Sequence, residues 1–496
     1  MQPKLMRTLL SLLLPLALLT SCRQPAESDT ELVMLCAAGI KNPVTRIAEM
    51  YEEEYGIKVR LQFGGSGTLL SNLEVAPADI YLAADSSYTN EARKKGLIAE
   101  TIPVAWMKAG FGVPKGNPKG LSSLADLRKE DVRAGIGNPE AASIGRFTRK
   151  VLSKHGAWDG FEPAVTFPTV NELANAIKLD TIDVAILWDA VASQYPDVDF
   201  VSLPEFDAER KDVTIAVSVK SGAPTEALRF CRYLAAKDRG LPVFEEEGFE
   251  PMEGDAWTEH PELVLFSGAM LRPAIQETVR AFEEREGVSI RPVYNGCGIL
   301  VSQMKAGEKP DAYFSCDMKF LTMVEDQFDE GVVVSANEMV ILTEFGNPKQ
   351  ITSLESLTVP GLQLGLSHPD KSALGFLTRD LLVSEGLYDK IKESGNLKME
   401  SPTGDFLVNQ LKANSLDAVI VYRSNAYASA STAEDFTIVE IKRPKAIATQ
   451  PYAVGRETPY PQLMKRFLEA CVSATGKEDF LQYGFRWELQ EEGAQP

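Results

Sequence analysis

Two stretches of 42 residues in this chain are similar in sequence. "ELVMLCAAGIKNPVTRIAEMYEEEYGIKVRLQFGGSGTLLSN" begins at Glu31, and "ELVLFSGAMLRPAIQETVRAFEEREGVSIRPVYNGCGILVSQ" begins at Glu262, without a gap between the copies. The segments "ADIYLAAD", ending at Asp85, and "PDAYFSCD", ending at Asp317, continue the match. The offset is 262 − 31 = 231 residues, far beyond the 20–50 residues of solenoid repeats. The pattern therefore indicates duplication of a whole domain.

Shorter matches extend the duplication to the end of the chain. "GNPK" at 116–119 recurs at 346–349, and a Gly-Phe pair closes each copy, at 248–249 and at 484–485. We therefore predict two modules. Their expected bounds are 31–252 for module 1, 253–261 for a polar linker, 262–488 for module 2 and 489–496 for a tail.

The first thirty residues have the features of an export signal. A short basic start precedes an apolar run from Leu9 to Leu19, which is too short to cross a membrane comfortably. The run ends in "LTSC", which resembles the bacterial lipobox. We expect a lipoprotein signal peptide at 1–21, lipidation of Cys22 and a tether at 22–30, on the periplasmic or cell-surface side of a bacterial membrane. An ordinary secretory signal with an incidental cysteine is the alternative.

Composition excludes some classes of function. The formal net charge is −19, and because nucleic-acid binding needs a basic face, we expect no nucleic-acid partner. A small anion is not excluded, because a local group of N–H donors can oppose the overall field. The three histidines are scattered without metal-ligand spacing, so we expect no metal site made of histidines.

The cysteines do not form a disulfide framework. Five remain after Cys22, widely spaced along the chain, which is typical of buried apolar residues. Cys297 and Cys316 are both expected near the cleft of module 2. Two separate buried thiols are the favoured interpretation, and a disulfide is the alternative.

Each module begins with alternating strands and helices. Val44, Ile47 and Tyr51 fall at helical spacing, and Gly56 is expected to end that helix. A strand, the glycine loop 64–67 and a second helix from Thr68 follow. Such βαβ units favour a mainly parallel sheet with helices on both faces, with ligands at the carboxyl ends of the strands.

The loop "GGSG" at 64–67 is not a nucleotide loop, since it lacks the lysine of a P-loop and the spacing of a dinucleotide fingerprint. Its glycines let amide donors approach a ligand closely. The helix start adds unpaired amides and the positive end of its dipole, and Ser66 adds a hydroxyl. A cradle for a small oxyanion is one interpretation. A turn without a ligand is the other.

Longer segments resemble one family. The opening of copy one is similar to the periplasmic molybdate-binding proteins. So are "GIGNPEAASIGRFTRKVLSKHGAWDG" at 135–160 and "DVAILWDAVAS" at 183–193, with counterparts in copy two. The resemblance implies an α/β fold of tandem type II periplasmic-binding-protein modules, each with two α/β lobes joined by a hinge. The family closes these lobes over a dehydrated tetrahedral oxyanion, held by hydroxyls and backbone amides.

The resemblance also implies a binding site in module 1. Gly39 stands where the family has its first serine, and Ser66 keeps the second. Backbone donors fall at Ile144 and Val170, and Trp188 replaces a tyrosine.

The corresponding positions of module 2 depart further from the family pattern. Met270 and Cys297 replace both serines, and Leu374 and Gly404 are the backbone positions. Tyr422 retains the tyrosine hydroxyl. A hydrogen bond to a charged group contributes about 1.5–3 kcal/mol, so module 1 is the better oxyanion site, and module 2 is altered in specificity or degenerate.

Two further pairs of residues correspond between the copies. Lys41 and Arg272 begin the first helix of each module, where an exposed basic residue is favoured over assistance to a larger anion. Asp85 and Asp317 end a strand in each module, where a helix cap is favoured over catalysis.

These features lead to two hypotheses. The first is a lipid-anchored solute-binding protein that delivers molybdate or tungstate to an ABC permease. The second is a sensor or scaffold lipoprotein with partly degenerate modules. We expect no cofactor and no enzyme activity, because no nucleophile–base pair or paired carboxylates recur at the cleft positions.

Overall fold

The computed structural model describes residues 31–207, 209–429 and 435–489. The expected signal peptide, the tether with Cys22 and most of the tail lie outside these residues. Within the described ranges, no helix has the length and apolar character needed to cross a bilayer.

Module 1 contains eleven strands and nine α-helices within the described residues. The strands are β1 Glu31–Ala37, β2 Lys58–Gly64, β3 Ile80–Ala83, β4 Ile98–Met107, β5 Ala109–Pro114, β6 Ala134–Gly137, β7 Val165–Phe167, β8 Val184–Trp188, β9 Val198–Val201, β10 Lys211–Ser218 and β11 Glu250–Pro251. The helices are α1 Lys41–Tyr55, α2 Ser66–Val75, α3 Ser86–Lys94, α4 Ser143–Lys154, α5 Val170–Lys178, α6 Asp189–Ser193, α7 Pro204–Asp207, α8 Pro224–Leu234 and α9 Gly240–Glu246.

Two sheets divide module 1 into two lobes. Lobe A contains the sheet of order β11-β4-β10-β3-β1-β2, with α1, α2, α3, α8 and α9. Lobe B contains the sheet of order β7-β6-β8-β5-β9, with α4 to α7. The chain passes between the lobes at Lys108, between β4 and β5, and returns between β9 and β10. This is the two-lobed arrangement with a hinge that the sequence predicts.

Module 2 repeats the arrangement. Its strands are β12 Glu262–Gly268, β13 Ser289–Asn295, β14 Ala312–Phe314, β15 Val332–Glu344, β16 Leu364–Ser367, β17 Leu397–Ser401, β18 Ala418–Tyr422, β19 Phe436–Glu440, β20 Ile447–Val454 and β21 Arg486–Trp487. Its helices are α10 Arg272–Glu286, α11 Cys297–Lys305, α12 Met318–Thr322, α13 Ala373–Ser384, α14 Tyr388–Glu393, α15 Gly404–Lys412, α16 Arg423–Ser429, α17 Pro461–Cys471 and α18 Ala474–Gln482.

The hinge strand of module 2 is unbroken. Strand β15 pairs with β20 over Val332–Glu338 in lobe A, then with β18 over Met339–Thr343 in lobe B. Both lobes therefore share one sheet of ten strands.

Two sequence expectations need correction. The sheets are mixed rather than mainly parallel: β1 runs parallel to β2 and β3, but β10 pairs antiparallel with β3 and β4. The reason is that the hinge-crossing strands return in the opposite direction. In addition, α2 begins at Ser66, two residues before the predicted Thr68.

The first helix of each module agrees with its sequence pattern. Val44, Ile47 and Tyr51 are fully buried on one face of α1. The helix ends at Gly56, whose φ of 70° lies in the left-handed region that favours glycine. Gly287 ends α10 in the same way, with φ 66°.

The segment between the modules is packed rather than free. The buried Asp255 carboxylate accepts hydrogen bonds from the amides of Gln462 (2.7 Å) and Leu463 (3.1 Å), at the start of α17. The ring of Trp257 contacts those of Tyr55 and Tyr233, with centroids 5.8 and 4.9 Å away. The segment therefore contacts lobe A of both modules.

Candidate ligand-binding site

A small cavity of about 20 Å³ lies between the two lobes of module 1. It exceeds the ~10–15 Å³ needed for one water molecule. The described residues that line it carry no charged side chain. They are Ala37, Ala38, Gly39, Gly64, Gly65, Ser66, Ala84, Ala142, Ser143, Ile144, Thr169, Val170 and Trp188. All five residues that the sequence predicts for module 1 are thus brought together around one cavity.

Three helices begin at this cavity. Ser66, Ser143 and Val170 are the first residues of α2, α4 and α5, and each of them lines it. The first amides of a helix have no partner within the helix, and its N-terminus carries a partial positive charge. Since α2 belongs to lobe A while α4 and α5 belong to lobe B, the donors come from both sides of the cleft. This arrangement suits an anion.

Side-chain donors supplement these amides. Ser66 is almost fully buried, and its Oγ accepts a hydrogen bond of 3.2 Å from the amide of Ala84. Its own hydroxyl hydrogen can therefore point to a ligand. The indole of Trp188, also buried, lines the cavity at the end of β8.

A phenol behind the cavity supports the Ser66 turn. The Tyr81 hydroxyl donates a hydrogen bond of 2.8 Å to the carbonyl oxygen of Ser66. Burial raises the pKa of Tyr81 well above its usual value, so the phenol stays protonated as a donor.

Sequence reasoning missed the hydroxyl of Ser143. Ser143 is buried and lines the cavity beside Ile144, for which only a backbone role was expected. The available signal was its place at a helix start in "AASIGR", where serine is common because its oxygen can accept a hydrogen bond from a helix amide.

The glycines of the loop have a second role, which is to allow the lobes to meet. A Cβ on Gly65 would collide with the carbonyl oxygens of Ala141 and Pro168 in lobe B. The Ala141 oxygen accepts hydrogen bonds from the amides of Gly67 (2.9 Å) and Thr68 (3.4 Å). Two early amides of α2 thus bind the opposite lobe, whereas Ser66 lines the cavity.

Close packing explains the missing serine at Gly39. A Cβ there would lie 2.9 Å from the Val170 side chain and 3.0 Å from that of Val191. Valine methyl groups therefore fill the space that a serine side chain would need.

The five counterparts in module 2 are also buried, but their chemistry differs. They are Met270, Cys297, Leu374, Gly404 and Tyr422. The favoured prediction of two separate thiols is wrong, since Cys297 and Cys316 form a disulfide. The Cys316 amide also donates to Cys297 Sγ at 3.1 Å, as the Ala84 amide does to Ser66 Oγ. A disulfide sulfur has no hydrogen, so this side chain cannot donate to a ligand.

An acidic residue further distinguishes module 2. Asp405 lies in the first turn of α15, where module 1 has Asn171. Its carboxylate accepts a hydrogen bond of 2.7 Å from the amide of Asn425. Burial raises the pKa of Asp405, and the Asn425 hydrogen bond opposes that effect. An ionised carboxylate at this helix start repels an anionic ligand.

Tyr422 keeps the family hydroxyl, but within the described residues this buried hydroxyl has no hydrogen-bond partner. Burial raises its pKa well above the usual value.

The paired basic residues do not line the cavity. Lys41 and Arg272 are exposed and lie over the rings of Phe63 (5.5 Å) and Tyr294 (5.7 Å).

The paired aspartates are helix caps, as predicted. The Asp85 carboxylate accepts from the Ser87 amide at 2.8 Å, and the Asp317 carboxylate accepts from the Lys319 amide at 3.0 Å.

Comparison with known proteins gives the family. The model of the bacterial extracellular solute-binding protein family matches residues 32–250 and again residues 263–486. The chain belongs to this family. As a member, it is an extracytoplasmic solute-binding component with the fold of type II periplasmic binding proteins, present in two tandem copies.

Several relatives match this solute-binding protein over the length of one module. A protein of Haemophilus influenzae that is named "Putative binding protein" is 28% identical over 45% of this chain and 91% of its own length. The molybdate-binding protein ModA of Mycobacterium tuberculosis is 26% identical over 45% of this chain and 84% of its own. ModA of Escherichia coli is also 26% identical, over 45% of this chain and 89% of its own.

Solved structures of similar proteins cover the same share of the chain. The periplasmic molybdate-binding protein of Azotobacter vinelandii aligns with 45% of this chain and 100% of its own, at 15% identity and a TM-score of 0.39. The sulfate-binding protein SubI of Mycobacterium tuberculosis aligns with 46% and 87%, at 16% identity and a TM-score of 0.40.

Proposed function

We propose that module 1 binds molybdate, or the similar dianion tungstate, and delivers it to an ABC permease. The observation that carries the proposal is the meeting of three helix starts and the Ser66 and Ser143 hydroxyls around one small cavity without charged side chains. The molybdate-binding relatives, whose length corresponds to one module, support the choice of ligand.

The donor set favours a fully ionised oxyanion. Hydrogen bonds to a charged group contribute about 1.5–3 kcal/mol each, and helix N-termini add about 0.3–1 kcal/mol. An anion that keeps a proton at neutral pH also needs a strong acceptor. Among the described lining residues no carboxylate supplies one, so molybdate and tungstate fit better than hydrogen phosphate.

Module 2 fits a different function. The Cys297–Cys316 disulfide and the Asp405 carboxylate oppose binding of an oxyanion. We propose that module 2 is the partly degenerate copy and acts as a scaffold for module 1 or as a sensor of another ligand.

The lipid anchor belongs to the same proposal. The "LTSC" segment supports lipidation of Cys22, with residues 23–30 as a tether to a membrane. The module bounds 31–252 and 262–488 follow from the internal repeat, and the two family matches support them.

Calorimetric titration of residues 24–496 tests the proposal. We expect molybdate and tungstate to bind with one site per chain, and hydrogen phosphate to bind much more weakly. The Ser66→Ala variant removes one hydroxyl donor and should weaken molybdate binding about 10- to 100-fold. Tyr422→Phe removes the hydroxyl that module 2 retains at the position of Trp188, and should leave the affinity unchanged. No heat and no thermal shift with any oxyanion would refute the proposal.

A further inference from the structure

Arg146 of lobe B contacts lobe A across the rim of the module 1 cleft. It lies in the first turns of α4, just after the cavity residues Ser143 and Ile144. Its guanidinium carbon lies 3.8 Å from the centroid of the Tyr88 ring, and Nη1 donates to the Glu91 carboxylate at 3.1 Å. Both partners belong to α3 of lobe A, so one side chain makes two contacts between the lobes.

The surroundings of Glu91 and Tyr88 favour their contact with Arg146. Glu91 also pairs with Lys95 at 3.0 Å, and its hydrogen bonds to Lys95 and Arg146 lower its pKa. The Tyr88 ring is fully buried beneath the guanidinium. Because burial raises the pKa of Tyr88 to about 12, its ring remains a neutral phenol, on which a cation stacks favourably.

We propose that Arg146 is a latch that holds module 1 closed. Both of its contacts connect lobe B to lobe A, and therefore exist only while the lobes are together. They stabilise the closed form relative to the open form, so they slow ligand release and have little effect on ligand entry. The identity of the retained ligand rests on the proposed function, whereas the effect on closure does not.

Module 2 has a different contact at the same place. Phe376 and Phe320 occupy the positions of Arg146 and Tyr88, and their ring centroids lie 6.0 Å apart at an interplanar angle of 87°. Met323 stands where Glu91 stands. Both modules thus join their lobes here. In module 2 the Lys319 ammonium also lies 4.9 Å from the Phe376 ring centroid, but the carboxylate–guanidinium pair, which salt screens, is found at this place in module 1.

Release kinetics provide the first test. Arg146→Ala should increase the dissociation rate of molybdate about tenfold and change the association rate less than about twofold. Trp188 at the cavity supplies a fluorescence signal. Arg149→Ala is the matched control, since Arg149 of the same helix pairs at 2.7 Å with Glu140 of its own lobe. Equal dissociation rates for the two variants would overturn the latch.

A measurement of lobe separation provides the second test and needs no ligand. Spin labels at Val75→Cys and Leu179→Cys report the distance between the lobes, because both positions are exposed, on lobes A and B respectively. The native cysteines Cys36, Cys231 and Cys471 are buried. Arg146→Ala should shift the free protein to longer distances, and Arg149→Ala should not.

The two tests separate the latch from the proposed function. If no oxyanion binds but Arg146→Ala still opens the free protein, the latch stands and the ligand assignment fails. If molybdate binds but both variants match the wild type in release rate and in lobe distance, the latch fails and the ligand assignment stands.

Discussion

At the scale of single residues, the approach of the two lobes depends on glycine. In module 1 the backbone of lobe B lies against Gly65 and Gly67 so closely that neither position has room for a Cβ. In module 2 the backbone of lobe B meets Gly296 and Gly298 in the same way. The glycines thus serve closure in both modules, whatever each cleft contains.

Gly65→Ala should therefore weaken ligand binding by opposing closure. Overpacking costs about 1–3 kcal/mol, which corresponds to roughly a 5- to 100-fold increase in Kd for molybdate. Titration of the variant measures the change. Gly222→Ala serves as control, because a Cβ there meets nothing within 4 Å. An unchanged Kd for Gly65→Ala would show that closure does not need this contact.

The Asp405 carboxylate makes the stability of module 2 depend on pH. Burial raises its pKa in the folded protein, so folding favours the protonated carboxyl. The resulting contribution to the free energy of unfolding is lost as the pH rises through the folded-state pKa. Asp405→Asn should therefore raise the melting temperature more at pH 7 than at pH 4. An equal shift at both pH values would mean that the ionised carboxylate does not destabilise the fold.

At the scale of elements, the Cys297–Cys316 disulfide joins the start of α11 to the end of β14. It closes a loop with a sequence separation of 19 residues. A crosslink of this length stabilises by about 3 kcal/mol through the entropy of the unfolded chain. Cys297→Ala with Cys316→Ala should therefore lower the free energy of unfolding of module 2 by about that amount. Urea unfolding measures it, and molybdate affinity should not change.

The same elements show what the sequence could predict. The hydrophobic pattern and the repeat predicted the order of strands and helices. The resemblance to the periplasmic molybdate-binding proteins predicted all five positions around the module 1 cavity, because each lies at a fixed place in a local motif. The sequence did not predict the Cys297–Cys316 disulfide, because its formation depends on the distance between the end of β14 and the start of α11. The sequence also did not predict the close contact between the Ala141 carbonyl and the start of α2. The reason is the same, because this contact joins segments from different lobes.

At the scale of the whole molecule, the two modules are connected through their lobes A. The Asp255 carboxylate caps α17, for which Tyr460 provides no side-chain cap. Arg285 of module 2 pairs bidentately with Glu100 of module 1, at 2.7 and 2.9 Å. Since the lobes B do not take part in these contacts, they are left to move about the hinges.

Asp255 lies in the segment between the modules, but because it caps α17, Asp255→Ala should destabilise module 2. Loss of a helix cap costs about 0.5–2 kcal/mol, measurable as a lower urea midpoint. Glu253→Ala is the matched control, because Glu253 forms a surface ion pair with Lys465 at 3.1 Å, worth at most about 1 kcal/mol. Equal effects of the two substitutions would contradict a capping role.

The central claim is that module 1 holds a tetrahedral oxyanion between the starts of α2, α4 and α5. A crystal structure grown with tungstate, with anomalous scattering recorded at the tungsten edge, tests it most directly. We predict one strong peak per chain, in the cavity lined by Ser66, Ser143 and Trp188, and none in the cleft of module 2. A peak in module 2 alone, or no peak in either cleft, would contradict the account.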